Sequence, residues 1–554
     1  MKRRSTQAPK RATQPEPREL TGSQAADGGG SPAIGRRKLF QLAGGATAAA
    51  VATNTMTWAA SPVPAALAAP SAQSPDESRR EVAYRIRHEA ALNHYSKASI
   101  EHPTNGDEAR YPKRIGSYSK FFPHNELGEV DPAAYEALLG AVRTGKFADF
   151  VAVPRGGEGV PNGFAQAFAY VLEGADPHDY FTQPPPAFAS EQMAGEVAEV
   201  YWQALLRDVP FSQYGEEPLT RAAMAELRQF PDFAQVSADT LFRGSFAGEL
   251  TGPYISQFLW KDIAFGAPRL VQTFRVPVAG DDHLTDYAAW LRVQNGQGPS
   301  SSVNFDPTPR YLRNGRDLAE WLRLDFTCQC GWHAGLILDA LGPSARARGL
   351  PVGVNPLDLV GRVGFATAKA TWYQKWGVHR NLRPEEFGGR VHNHKTGAAS
   401  YPIHPKLINS TALDEVYRRY GTYLLPQAYP GGSPAFPSYP ANHASIAAVG
   451  VTVLKAVYDA AQPITDPVVA SDDGLTLLPY EGPTLTVGGE LDKLAANVAY
   501  GRDIAGVHYR SDGLAGLLLG EEVAISILRD VRATYGVPAG GFSFTRFEGT
   551  QITI

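Results

Sequence analysis

What most limits the fold of this chain is the recurrence of apolar side chains at three- and four-residue spacing over most of its length. That spacing gathers apolar groups on one face of an α-helix. It marks 133 to 144, 191 to 206, 219 to 229, 283 to 293, 310 to 323, 332 to 341, 363 to 376, 411 to 424, 442 to 461, 490 to 500 and 512 to 534. No comparable series of alternating residues is present. Val468 to Leu478 and Thr484 to Val487 could form small hairpins, so the expectation is a mainly α fold of packed helical bundles with minor β-hairpins. At 554 residues it is one large domain or two packed units.

Three sections follow from composition along the chain. Residues 1–68 read as a targeting segment. Gly35-Arg36-Arg37-Lys38 precedes a weakly apolar stretch without charge from Leu39 to Ala68, closed by Ala66-Leu67-Ala68. Paired arginines before such a stretch resemble a twin-arginine signal, which implies an exported, periplasmic or secreted protein. Pro62 and Pro64 break the stretch, so no membrane span is expected in the mature chain. Residues 69–135 read as an irregular N-terminal arm, because turn formers recur through Glu101 to Gly106 and Phe121 to Asn125. Residues 136–554 form the helical domain, with an active-site half at about 360–535.

Charge excludes some partners. Removal of 1–68 would take nine basic residues from 52 and three acidic ones from 56, leaving a net charge of −10, which repels nucleic acid. The two cysteines, Cys328 and Cys330, are separated by one residue, a spacing that strains an internal bridge. Two buried thiols or a bond to another subunit are the readings that remain.

Three segments carry chemistry. In the first, Lys375 and Arg383 lie eight residues apart, and Pro384 forces Arg383 out of helical conformation so that its side chain can turn back. In the second, Phe436-Pro437-Ser438-Tyr439-Pro440-Ala441-Asn442-His443 runs extended into an apolar helix, whose first amides lack intrahelical acceptors and favour anions. The third places His508 six residues after Arg502, with Asp512 four further on, near enough to fix the imidazole tautomer or simply to cap a helix. Singly, a lysine at a helix end or an arginine in a surface ion pair is ordinary. Together, three cations, free amides and two imidazoles are what holding a tetrahedral oxyanion requires.

The order Lys, Arg-Pro, proline-bounded turn with His, and Arg with His six later resembles the vanadium haloperoxidase and type 2 phosphatidic acid phosphatase superfamily. Lys375-Trp376, Val378-His379-Arg380, Arg383-Pro384-Glu385 and Gly506-Val507-His508-Tyr509-Arg510-Ser511-Asp512 are similar to the algal bromoperoxidase branch, and weaker likeness extends over about 100–530. The resemblance implies a vanadate cofactor and a peroxidase that oxidises halide, bromide above all, with hydrogen peroxide to a hypohalous acid equivalent that halogenates small organic substrates. It further implies His508 as the ligand of vanadium, Lys375, Arg383, Arg502 and the amide of Asn442 as donors to the vanadate oxygens, and His443 as the acid-base group. Lys375 also polarises bound peroxide, and Trp372 and Phe436 fall where the family lines its halide pocket. A homo-oligomer, dimer or larger, is expected. One departure stands out: the family has Ser-Gly-His where this chain has Ala441-Asn442-His443. The alternative activity is a soluble secreted phosphomonoesterase using the same groups, with His508 as nucleophile. A binding protein that has lost turnover is the third reading.

Overall fold

The computed structural model describes residues 78–348, 350, 354–535 and 541–554. Among them are thirteen helices of eight residues or more. The first seven are α1 (Arg79–Tyr95), α2 (Pro132–Thr144), α3 (Glu191–Leu205), α4 (Pro218–Leu227), α5 (Tyr287–Gln294), α6 (Gly315–Leu324) and α7 (Gln329–Asp339). The others are α8 (Pro356–Tyr373), α9 (Pro384–Lys395), α10 (Thr411–Tyr420), α11 (Asn442–Val457), α12 (Val487–Ile504) and α13 (Arg510–Tyr535). All eleven stretches with helical spacing contain a helix, and the described residues belong to one compact unit, Ala66–Ile554.

α11 is the axis of the fold. Its residues Ala444–Val457 are all buried, and it packs against α8, α12 and α13. A helix that is apolar all round lacks a solvent face and must be enclosed by others. Close approach is possible because α13 presents small residues: a Cβ on Gly520 would stand 2.1 Å from Ser445 O, and one on Gly516 2.5 Å from Ala441 O. The N-terminus of α11 is thereby pinned deep inside the protein.

Three features differ from the sequence expectation. The section 69–135 is not irregular throughout, because Ser78 caps α1 with a reciprocal Glu81 contact and seventeen helical residues follow. Nor is it a detached arm. Lys120 is fully buried and pairs with Glu385 at 2.9 Å, and Ser119 N donates to Glu386. Thr484–Val487 is not a hairpin; Thr486 caps α12 by accepting from Gly489 N, leaving only a bridge to Pro463. Val468–Ala470 does pair antiparallel with Leu477–Pro479, and two further short hairpins join Ile263–Ala264 to Arg269–Leu270 and Ser543–Thr545 to Gln551–Thr553. The calls on residues 1–68 lie outside the described residues.

Cys328 and Cys330 are both buried free thiols. Burial pushes the Cys328 thiol up to about 12, so it stays protonated and unreactive. No helix among the described residues is long and apolar enough to cross a membrane.

Candidate active site

Lys375 reaches the site because α8 does not end as an α-helix. It runs on into a π-helical turn, Gln374–His379, closed where Arg380 N donates to Lys375 O at 2.9 Å, a five-residue step. Arg380 sits in the left-handed region (φ 42°), and its guanidinium donates to Trp376 O and Gly377 O and pairs with Glu108. His379, Arg380 and Glu385, which belong to the recognised motif, thus act on the backbone and on neighbouring elements. Lys375 itself is wholly buried, its Nζ donating to Pro437 O (2.8 Å) and Ser438 O (2.6 Å).

Arg383 has the extended backbone that Pro384 demands (φ −80°, ψ 151°) and precedes α9. Its side chain turns back to Phe436 O, Val507 O and His508 Nε2, the last at 2.9 Å, while Nη2 has no partner. Arg502, near the end of α12, donates to Leu322 O at 3.1 Å and lies over the Tyr429 ring, and its Nε is buried without a partner.

His508 is held from behind. Its Nδ1 lies 2.8 Å from Asp512 Oδ2, which also accepts from Tyr509 N and from the Ser438 hydroxyl. Three donors on one buried oxygen favour the carboxylate, and a carboxylate there fixes the proton on Nδ1 and leaves the Nε2 lone pair facing the cations. Asp512 therefore orients the imidazole, and as the third residue of α13 it is not its cap. Burial raises the Asp512 carboxyl to about 6 against these donors. Burial and then Arg383, Lys375 and Arg502 push His508 well below its usual range, so the ring is neutral at pH 7.

His443, the second residue of α11, is the partly open group, 26% exposed at its side chain. Its Nε2 lies 3.2 Å from Asp325 Oδ1, just past the end of α6. Burial and Arg502 lower its pKa, and Asp325 works the other way. Asp325, Ser438 and Tyr429 were not singled out from sequence. Asp325 comes from outside the 360–535 half, so that half is not the whole site. A carboxylate after an amphipathic helix gives no local signal, and the proline-rich turn offers Ser438 no neighbour in sequence to act on.

Trp372 and Phe436 meet edge to face at 4.5 Å, and the Phe436 ring lies 5.2 Å from Lys375 Nζ and 4.8 Å from Arg383 Cζ. They are both part of the core and a roof over two cations. Ala441 stands as N-cap of α11 without a side-chain bond, and Asn442 Oδ1 is buried without a partner. Ser445, one turn on, does not replace the absent hydroxyl, since its Oγ is engaged with Thr371 Oγ1 (2.7 Å) and Asn442 O (2.9 Å).

The electrostatics ask for an anion. Burial pushes Lys375 well below its usual value, with Arg383 and Arg502 adding to the fall, and lowers Arg383 to about 10. Asp512 is the one carboxylate bonded within this group of five. An uncompensated buried charge costs several kcal/mol. Unused N–H groups on Arg383 and Arg502 beside an α-helix N-terminus are suited to a multiply charged oxyanion.

Residues 361–536 match the family model of the VCPO second helical-bundle domain. A vanadium-dependent bromoperoxidase of Ascophyllum nodosum is 34% identical over 79% of this chain and 86% of its own length. That of Corallina officinalis is 30% identical over 86% of this chain and 99% of its own. The homohexameric structure of the second vanadate-dependent bromoperoxidase of Ascophyllum nodosum superposes with a TM-score of 0.80 at 27% identity, covering 89% of this chain and 94% of that one.

Proposed function

Since this chain belongs to the vanadium-dependent haloperoxidase family, in its algal bromoperoxidase-like branch, we propose that the buried cation cluster holds vanadate for the oxidation of bromide by hydrogen peroxide. The observation that carries this is the convergence of Lys375, Arg383 and Arg502 on His508 Nε2, with unused N–H groups at Arg383 and Arg502. These residues fit the cofactor. His508 Nε2 is the nitrogen ligand, the three cations and the Asn442 amide hold the oxygens, and Asp512 keeps Nε2 unprotonated. Bound vanadate supplies Lewis acidity without a change of oxidation state. The phosphomonoesterase alternative is not favoured, because the relatives over most of the chain are bromoperoxidases.

In the overall reaction halide loses two electrons, peroxide is reduced to water, and hypohalous acid is the product. One proton is consumed for each turnover. His443 is placed to take a proton from incoming peroxide, being neutral at pH 7, at the open side of the cluster and paired with Asp325. Lys375, fixed by two carbonyls, keeps its remaining N–H for the peroxide oxygens. Phe436 and Trp372 exclude water from the cations, which lets a weakly hydrated halide approach.

Two measurements follow. Bromination of a dimedone-type reporter by the protein lacking residues 1–68 is expected only after incubation with orthovanadate, without hydrolysis of nitrophenyl phosphate under the same conditions; hydrolysis without bromination would reverse the assignment. Orthovanadate at a hundred times its Kd is expected to stabilise the fold by about 2.7 kcal/mol. In thermal unfolding that is a rise of a few degrees, absent in His508→Ala.

Asp325→Asn tests the acid-base pair. Asp325 raises the pKa of His443, so its removal lowers that pKa further. The base form of His443 then persists to lower pH. The acid limb of kcat/KM for peroxide is expected to move to lower pH, and a limb that stays in place would remove His443 as its source.

We also propose export through the 1–68 segment and a homo-oligomer. Exposed Tyr84, Leu92 and Tyr95 on α1, which has no buried residue, suit it to a subunit contact. A helix of seventeen residues is marginal without packing partners.

A further inference from the structure

Asp325, the partner of His443, is flanked by two apolar residues that remain exposed, Leu324 at 63% and Phe326 at 56%. Leu324 forms part of the wall of a cavity of about 390 Å³, together with Trp321 from α6, His333 from α7, Phe274 and Val271 from the segment after the Arg269–Leu270 strand, and Phe305. A cavity of that volume, lined mainly by apolar and aromatic groups, is in the range that takes a small organic molecule. It begins one residue from the acid-base pair, a Cα step of about 3.8 Å.

The polar lining groups are mostly committed. Both oxygens of Glu320 accept from Arg323, Gln329 Oε1 accepts from Phe326 N, and Gln272 Nε2 donates to Phe258 O and Lys261 O. His333 differs: its Nδ1 is buried and has no partner among the described residues. Phe326 packs edge-on against the same ring at 6.5 Å, fixing its orientation. We propose that this cavity binds the organic substrate of the halogenation and that its chemistry selects an apolar phenol, with the rings against Trp321, Leu324 and Phe274 and the hydroxyl paired with His333. The inference rests on the haloperoxidase reading for the reaction, though the binding does not.

The chemistry balances. Hypohalous acid formed at the cation cluster delivers halogen to a ring carbon ortho or para to the hydroxyl. A carbon–halogen bond forms, the oxygen–halogen bond breaks, and the displaced hydroxide leaves as water with the proton lost from that carbon. A phenol held beside Asp325 is the first nucleophile the product meets.

The probe is 2-naphthol. Saturable binding to the protein lacking residues 1–68 is expected without vanadate, peroxide or halide, followed by fluorescence. Trp321→Ala and His333→Phe should each weaken it at least fivefold. In turnover the same variants should raise KM for naphthol by a similar factor while leaving kcat/KM for peroxide and for the dimedone reporter unchanged. Absence of saturable binding, binding equal in both variants, or equal slowing of both organic substrates would overturn the assignment. So would a shift of Val271→Asp to a smaller species in sedimentation without effect on naphthol, which would make this face a subunit contact. Naphthol binding in a protein that brominates nothing would sink the haloperoxidase reading and leave the cavity assignment standing.

Discussion

His508→Ala is expected to abolish vanadate-dependent bromination, by more than the 10²–10³ that loss of a single donor to a developing anion costs. The reason lies in what His508 alone supplies. Lys375, Arg383 and Arg502 attract any oxyanion, so the variant still binds phosphate or vanadate electrostatically, but no neutral nitrogen remains to bind the metal. The change also leaves Asp512 without its Nδ1 partner, an expected cost of about 1–3 kcal/mol in stability. Asp512 keeps Ser438 and Tyr509 N, so the fold should survive and far-ultraviolet circular dichroism should be unaltered. Bromination within tenfold of the unmodified protein, with the fold intact, would remove His508 as the ligand.

Ala441→Ser is expected to act in the other direction. A hydrogen bond to a charged group contributes about 1.5–3 kcal/mol, so a hydroxyl regained beside the anion should tighten vanadate binding about ten- to hundredfold. Serine at this position has a second possible effect, because residue 441 is the N-cap of α11 and serine is a better cap than alanine by about 1 kcal/mol. The two effects separate experimentally. Capping raises Tm without vanadate, whereas anion contact lowers Kd. A rise in Tm with Kd unchanged would mean that the hydroxyl turns toward the helix amides and that Asn442 already serves the anion in its place.

Much of this protein could be read before its structure. The helical spacing located α2 to α8 and α10 to α13, because each buries one face against a common core and the pattern records that burial directly. α1 escaped notice for the converse reason: none of its residues is buried, so its sequence carries no apolar stripe. Thr484–Val487 was misread because a β-branched run is also what precedes a helix capped by threonine. At the site, Lys375, Arg383, Asn442, His443, Arg502, His508 and Asp512 were legible as motifs, since Pro384 and the helix start fix their local backbone. The groups that act through space were not. Asp325 meets His443 from another helix end, and the carbonyls of Phe436, Pro437 and Val507 that steer Arg383 and Lys375 leave no mark on residue identity.

The π-helical turn at Gln374–His379 makes this stretch intolerant of changes in length. Each residue of an α-helix advances the chain by 100° about its axis, so a five-residue step where four would serve absorbs one extra residue. Excising one residue from the turn would restore ordinary winding and swing all that follows by about that angle, carrying Arg383 away from His508 although every charged group was still present. Spacing between Trp372 and Pro384 is therefore a phase setting: two otherwise conservative edits, one substitution and one deletion, would have opposite fates here, and charge would explain neither.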